Sequence, residues 1–359
     1  MKNKIAFLVP YSLGIAPSQR FRVEQYFPFL DKNKVTYKVF PFLDETTNKI
    51  LYKNGHSFSK ITGVIQGFIR RLVFLFFQCY SYDIIFIHRE ATPIGPPFFE
   101  WALAKVFRKK IIFDFDDAIW LPAQEGSSFI QKLRNPQKTN RIFSWSHKVL
   151  AGNHFLKNHA ESLTSCEVIF LPTIVDTHLK YNQPTSYPNH HPIFVGWTGS
   201  HSTFAYLEDF IPTLREIYKM HPFCLYIISD KDPNIDFPDY LFVKWNATTE
   251  IEDLRQIDIG IMPMKDNQWA KGKCGFKLIQ YGALGIPSIA DYTEANATIV
   301  LHEQTGFICR QTSDWNNYLA QLLQDVALRK KLGESALEQI QKNFSLQRYS
   351  MEFLNILTK

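Results

Sequence analysis

The stretch KGKCGFKLIQYGALGIPSIA, residues 271–290, decides how the rest of the chain is read. Gly272 and Gly275 let the backbone approach a ligand closely. The pattern after them predicts a helix from Gly275 to Leu284. Its first turn offers free N–H groups and the positive end of the helix dipole, a natural seat for a diphosphate. Lys271, Lys273 and Lys277 add charge beside that seat. Gln280 lies one turn beyond Lys277, where a side-chain amide would bridge ribose or sugar hydroxyls. Gly285 and Pro287 end the helix, and the apolar run IPSIAD reads as a buried strand. The competing reading takes the lysines as solvated charges at a helix start. Glycines and lysines together at a helix N-terminus favour the anion site.

Working outward, apolar runs alternate with helical patterns along the whole chain. Ten strands are predicted, from KIAFLVP, VTYKVFPF, YDIIFIHR, KKIIFDFDD, KVLAGN, CEVIFLP, PIFVGWTGS, FCLYIIS, IDIGIMPM and IPSIAD. Helices are expected over 21–30, 59–80, 96–107, 203–220, 250–256, 275–284, 315–343 and 346–357. Continuous apolar strands between helices imply parallel sheets covered on both faces. The stretch 181–192, YNQPTSYPNHHP, has no apolar period and reads as an interdomain linker. The expected class is therefore α/β: a domain over 1–180 and a second over 190–344, with 345–359 returning to the first. Ligands of open α/β sheets bind outside the carboxyl ends of the strands. This points to the loops 13–22, 88–95, 114–120, 198–203 and 267–277, around a cleft between the domains.

Composition narrows the function. The 359 residues carry a net charge of +6, with 45% hydrophobic and 21% charged residues, an ordinary globular balance. The positive excess suits a phosphate-bearing ligand or an anionic membrane surface. No long Lys/Arg run or nucleic-acid signature occurs, so no nucleic-acid partner is expected. The five cysteines, Cys79, Cys166, Cys224, Cys274 and Cys309, are widely spaced and contain no CxxC pair. Neither a zinc site nor a disulfide framework follows, and reduced thiols in a cytoplasmic setting fit best. The start, IAFLVP cut by Pro10, reads as a first strand rather than a signal peptide. No apolar run reaches the roughly 18 residues that span a bilayer.

The segment 280–287, QYGALGIP, resembles the E-A-M-A-x-G-x-P helix of glycosyltransferase family 4 and related retaining GT-B enzymes. The resemblance extends to 196–207, GWTGSHSTFAYL, which looks like the first strand–turn–helix of a donor domain. It implies a GT-B fold: two Rossmann-like domains with parallel sheets facing a central cleft. It also implies a metal-independent, retaining transfer of a sugar from a nucleotide-sugar donor to a glycan or polyprenyl-linked acceptor, in cell-surface polysaccharide or glycoconjugate synthesis, with no cofactor. The donor would sit on Gly199, Ser200, His201 and the 271–280 segment. The family's two glutamates, with seven residues between them, fall near Gly272 and on Gln280, so this chain departs from the pattern at both acids. An Arg and a Lys common after the first turn are also missing. Lys271 and Lys273 are expected to supply that charge, with Lys273 among the catalytic residues. A sugar-nucleotide 2-epimerase of the same fold, or a non-catalytic sugar-nucleotide or partner binder, are the alternatives.

In the N-terminal half, GIAPSQRFR follows the first strand. Gly14 suits a cleft-facing turn. Arg20 and Arg22 would grip an acceptor's pyrophosphate, arginine being suited to bidentate contact; the alternative is two surface arginines. His88 and Arg89 follow another strand, as acceptor contacts or as a local ion pair. In DFDDAIW, residues 114–120, Asp116 and Asp117 either serve the acceptor hydroxyls, as hydrogen-bond acceptors or base, or cap the next helix. A metal at this Asp-x-Asp is not expected, since acids on one strand end do not make a coordination sphere. His201 reads equally as a surface residue at a helix start. The helix 59–80 carries Ile61, Ile65, Phe68, Leu72 and Leu75 as an apolar stripe, with Lys60, Arg70 and Arg71 nearby. Burial against the sheet is the favoured reading, and a seat on the inner membrane surface the other.

Overall fold

The computed structural model describes residues 3–51, 55–122, 135–185 and 192–359. The chain divides into two units, Met1–Thr173 with Tyr349–Lys359, and Ile174–Arg348. The division therefore precedes the Pro/Asn/His-rich stretch. Residues up to Thr185 are tied into the second unit: the Thr185 N–H donates to the Leu284 carbonyl, and Tyr181 is buried there. Residues 186–191 of the expected linker lie outside the described residues.

The first unit is built on six parallel strands: β1 (Lys4–Val9), β2 (Thr36–Pro41), β3 (Ile84–His88), β4 (Lys110–Phe115), β5 (Lys148–Ala151) and β6 (Glu167–Phe170), in the order β2-β1-β3-β4-β5-β6. The inner strands are continuous apolar runs because helices cover both faces, as in Ile84–His88, where every residue is buried. The order reverses between β1 and β3, and the loops after these two strands part there. Near the end of the chain, Phe353 stacks on Tyr26 with ring centroids 3.9 Å apart.

The second unit repeats the plan with β7 (Phe194–Thr198), β8 (Cys224–Ser229), β9 (Tyr240–Lys244), β10 (Ile259–Met262), β11 (Ser288–Asp291) and β12 (Gly306–Cys309). All pairings are parallel, in the order β12-β11-β10-β7-β8-β9. Read from β9, this is the doubly wound dinucleotide-fold order, with its switch point between β7 and β10. Tyr281 fixes that point. Its buried ring fills the space that a side chain at Gly260 would need, and its hydroxyl meets the Thr198 N–H (3.0 Å) and the Gly196 carbonyl (3.3 Å).

Three expected helices are interrupted. The stretch 203–220 divides into Phe204–Glu208 and Ile211–Met220, because Pro212 starts a new first turn. The stretch 315–343 divides into Thr312–Gln324 and Val326–Asn343 at Asp325, whose side chain caps the second piece. The stretch 21–30 becomes α1 (Pro17–Arg22) and α2 (Phe27–Lys32). After α3 (Glu45–Leu51) comes α4 (Ser57–Val73), continued by a π-helical turn, Phe74–Gln78. Two expectations about this helix are corrected. Ile61, Ile65 and Leu72 are exposed, and the buried side is Gly63, Gly67, Arg71, Phe74 and Leu75. The helical stretch Ser57–Ser81 is also long enough to cross a membrane, and contains an 18-residue window apolar enough to do so, with mean hydropathy 1.3. Scattered polar residues hide this from a search for unbroken apolar runs.

Candidate active site

In the first unit the chemistry gathers where β1, β3 and β4 end. His88 closes β3 and Asp114 lies opposite it in β4. His88 Nδ1 is 2.7 Å from Asp114 Oδ2, and Nε2 is 2.9 Å from Ser18 Oγ. Asp114 is fully buried. Burial would raise its pKa, but Arg22 and His88 outweigh that and hold the carboxyl below its ordinary value. An ionised carboxylate only accepts, so Nδ1 carries the proton toward Asp114, while the Ser18 hydroxyl stands between Nε2 and Asp116. The result is a hydroxyl–imidazole–carboxylate chain that runs from the interior to a half-buried serine. An imidazole held by a carboxylate on one nitrogen and facing a hydroxyl on the other is placed for proton exchange.

Arg22 is a correction to the sequence reading. It is 1% exposed, and its guanidinium is committed to Asp114 (Nε to Oδ1 3.1 Å and to Oδ2 3.2 Å, with Nη2 also in contact) and to the Leu171 carbonyl. Burial of a charge demands this pairing, and at 1% exposure the guanidinium is out of reach of a ligand phosphate. Arg20 is half-buried, with its guanidinium 5.0 Å from the Phe21 ring centroid. Gly14 is exposed, and its N–H donates to Glu24 Oε2 at 2.8 Å, which ties down the loop after β1.

Arg89 reaches across to Asp116 at 2.7 Å and to Asp117 at 3.7 Å. Burial opposes the Arg89 charge, but the two aspartates outweigh it and hold its pKa up. Asp116 in turn is held low, its burial outweighed by Arg89, His88 and Arg22, with help from the Ser18 hydroxyl. Asp116 and Asp117 thus belong to an ion-pair group beside His88, and no metal-sized cluster of His, Cys, Asp or Glu occurs among the described residues.

In the second unit the site lies at the ends of β7 and β10. The helix Phe276–Ala283 starts from Gly275, which has φ +63°; a Cβ there would also lie 2.3 Å from the Ile299 side chain, so this turn requires glycine. The Lys277 Nζ stands 5.3 Å from the Trp197 ring centroid, and the Lys273 Nζ stands 5.6 Å from that of Trp269. Among the described residues no carboxylate lies within ion-pair distance of half-buried Lys277. Burial, and then the charge of Lys273, push its pKa down to about 8. Two cations held close, one of them half-buried without a carboxylate, form a seat for an anion. Gly199 keeps the turn after β7 open beside Trp197, whose ring atoms would lie 2.5 Å from a Cβ there.

The other expected donor residues take different places. Lys271 is exposed, ends the short helix Gln268–Lys271, and lies 3.8 Å from Asp266. The second cation beside Lys273 is therefore Lys277, not Lys271. His201 is engaged by Asp230, through Nδ1 at 2.6 Å and its N–H at 2.7 Å, while Ser200 is exposed. Gln280 is a second correction. It is buried, and its amide donates to the Tyr181 hydroxyl (2.8 Å) and Glu250 (3.3 Å), so it braces the unit rather than presenting itself to sugar hydroxyls.

Sequence reasoning missed Ser18, Trp197 and Trp269, and assigned Asp114 no role. Ser18 and Asp114 lie 70 and 26 residues from His88, and no local pattern joins them. The tryptophans carried a signal: each stands in a loop or strand end already marked by glycine and lysine.

No protein-family model and no curated protein matches the sequence. Solved structures do. Sucrose-phosphate synthase from Thermosynechococcus elongatus aligns with a TM-score of 0.73 at 14% identity, over 99% of this chain and 98% of that one. A glycosyltransferase from Rickettsia africae aligns at 0.70 and 15% identity, over 99% and 98%. Anabaena HepE, solved in complex with UDP-glucose, aligns at 0.67 and 13% identity, over 99% of both chains. Such identities speak for the fold alone, and the fold is GT-B.

Proposed function

We propose that the chain is a glycosyltransferase that takes its sugar from a nucleoside diphosphate sugar and passes it to a hydroxyl of a glycan or polyprenyl-linked acceptor. The observation that carries this reading is Lys277: half-buried at the switch point of the second sheet, beside Lys273, with no carboxylate in reach and a pKa pushed down to about 8. A diphosphate supplies the missing charge. As the bond from the sugar's anomeric carbon to the diphosphate breaks, negative charge builds on the leaving oxygen, and the lysines stabilise it most at that moment. The acceptor oxygen forms the new bond and loses its proton. In this reading His88, held by Asp114 through Nδ1 and facing Ser18 through Nε2, is the group that receives it. Transfer with retention and without a metal, at the inner face of the membrane in polysaccharide or glycoconjugate synthesis, is the reading that fits the family resemblance. Because HepE was solved with UDP-glucose, a uridine diphosphate sugar is the first donor to try.

The test is calorimetric titration of UDP-glucose into the full chain and into Lys277→Ala. Loss of a charge-assisted contact is expected to weaken binding by about 10- to 100-fold. Equal affinities in the two proteins would remove the donor seat from this place. A parallel incubation with donor and an acceptor panel should release UDP only when an acceptor hydroxyl is present. Epimerised donor without transfer would assign the site to a different reaction.

A further inference from the structure

On α4 the usual arrangement of an amphipathic helix is inverted. Phe58, Ile61, Ile65, Ile69, Leu72 and Phe76 recur at helical spacing along one face and are between 40 and 81% exposed. The opposite face is buried and is made of small residues and an arginine. A Cβ at Gly63 would lie 2.1 Å from the Thr47 hydroxyl, and one at Gly67 would lie 2.7 Å from the Phe42 ring. The Arg71 guanidinium donates to the carbonyls of Ala91 (2.8 Å), Phe40 (2.8 Å) and Val9 (2.9 Å). The helix is thus fastened lengthwise to its unit through its polar side, with its apolar side turned outward. A stripe of this length is far larger than the scattered apolar residues of an ordinary surface.

Charge tells what covers it. From Gly55 to Tyr82 the sequence contains no aspartate or glutamate; of its cations Lys60 is half-buried, Arg70 pairs with Asp44 and Arg71 lies on the inward side. The neighbouring segment, 98–110, adds exposed Lys105, Arg108 and Lys110, and its one acid, Glu100, is fully buried. This segment adjoins the end of the helix: the Tyr80 and Phe107 rings lie 5.3 Å apart, and Lys109 Nζ meets the Tyr82 carbonyl at 2.7 Å. It extends the apolar face with exposed Phe98, Trp101 and Val106. Between α4 and the edge strand β2, a cavity of about 310 Å³ has Lys38 and Arg70 beside Pro41, Ile69 and Val73. Apolar side chains ringed by cations, with aromatic rings among them, complement a surface of acyl chains beneath anionic headgroups. Neither 55–82 nor 98–110 presents an exposed acid, which a protein partner of ordinary composition does not call for.

We propose that the outward face of α4 and its π-helical turn is a docking surface for an anionic lipid bilayer, on which the helix lies in the plane of the interface. Although Ser57–Ser81 is long enough to span a membrane, its attachment through Gly63, Gly67 and Arg71 keeps it on the surface. Such docking would bring the first unit to lipid-linked molecules.

The test is co-sedimentation of the full chain, without donor, with phosphatidylcholine vesicles that contain or lack phosphatidylglycerol. The wild type should bind the anionic vesicles about tenfold more tightly than the neutral ones, and Ile65→Glu/Ile69→Glu should lose about tenfold of that binding with an unchanged melting curve. Ile65→Ser/Ile69→Ser, which adds no charge, should show an intermediate loss. Three outcomes overturn the proposal: a wild type that stays in solution with anionic vesicles at low salt, equal binding to both vesicle types, or a dimer in light scattering that the glutamate variant splits while vesicle binding is unaffected. The last result would give the face to a second copy of the chain. Donor titration is independent of all three, so failure here leaves the transferase reading to its own experiment.

Discussion

The two units carry their charged residues at equivalent places, at the carboxyl edge of a doubly wound sheet, but they treat the charge in opposite ways. At the site of the first unit each charge has its opposite beside it: Arg22 on Asp114, His88 on Asp114, Arg89 on Asp116. In the second unit Lys277 and Lys273 stand together, and Lys277 lies over the face of Trp197 with no carboxylate in ion-pair distance among the described residues. A neutralised cluster keeps its geometry and its proton positions without a ligand, which suits work on an uncharged hydroxyl. A cluster with surplus charge is incomplete until an anion arrives. The difference assigns the halves of the proposed reaction: proton handling to the first unit, diphosphate to the second.

The comparison is easiest to break through stability. Asp114→Ala strands Arg22 in the interior without a counter-charge, which should cost about 3–5 kcal/mol in urea denaturation. Replacing both partners, Arg22→Met with Asp114→Leu, should cost less than the single change, because no unpaired charge is left behind. Lys277→Met should be neutral or stabilising, since it removes a half-buried cation that has no carboxylate. If Asp114→Ala and Lys277→Met changed stability alike, the contrast between a paired and an unpaired site would fall.

How much of this was legible beforehand depends on whether the cause is local. The continuous apolar runs of β1, β3, β4 and β8 announce buried parallel strands by themselves, their alternation with helices gives two α/β domains, and GT-B is what the family resemblance adds. β9 was missed because it is an edge strand, half in water, with no run to see; β12 was missed because its apolar run is only Phe307, Ile308 and Cys309, between a glycine and an arginine. The donor side was readable at Lys273 and Gly275, where chemistry and neighbours lie within one turn. Gln280 and Arg22 were read as ligand contacts, yet both are buried by partners distant in sequence: Tyr181 and Glu250 for one, Asp114 and Leu171 for the other. The apolar stripe on α4 was correctly located but placed on the wrong side. Periodicity shows that a face exists, and only packing shows which face Gly63 and Gly67 let the backbone press against the unit.

Catalysis gives the next sharpest division. His88→Ala should lower turnover by about 10²- to 10⁴-fold, the usual worth of a positioned acid or base, while leaving the affinity for UDP-glucose unchanged. Ser18→Ala should fall between this variant and the wild type, because water can bridge from Nε2. Steady-state rates at saturating donor, set beside calorimetric affinities, separate the two effects. A His88 variant that loses donor affinity as well as turnover would mean that the halves are not independent.

The smallest effect is the dependence of donor binding on pH, and it tests the surplus charge directly. Lys277 titrates at about 8 in the folded chain against an ordinary 10.5. Below pH 8 the ammonium is charged and ready for a diphosphate. Above it, the apo protein must first take up a proton, so the dissociation constant should rise, approaching about tenfold per pH unit well beyond the pKa. Stability moves the other way. Between these two values the unfolded chain holds more protons than the folded one, so the linkage term is positive and this group's contribution improves with pH. Lys277→Arg keeps its charge throughout, and its affinity should stay level where that of the wild type declines. Calorimetry from about pH 7 to about pH 9.5 covers the window in which the group discharges. A wild-type affinity as level as that of the arginine variant would show that Lys277 is not the cation the donor meets, and the second unit's site would have to rest on Lys273 alone.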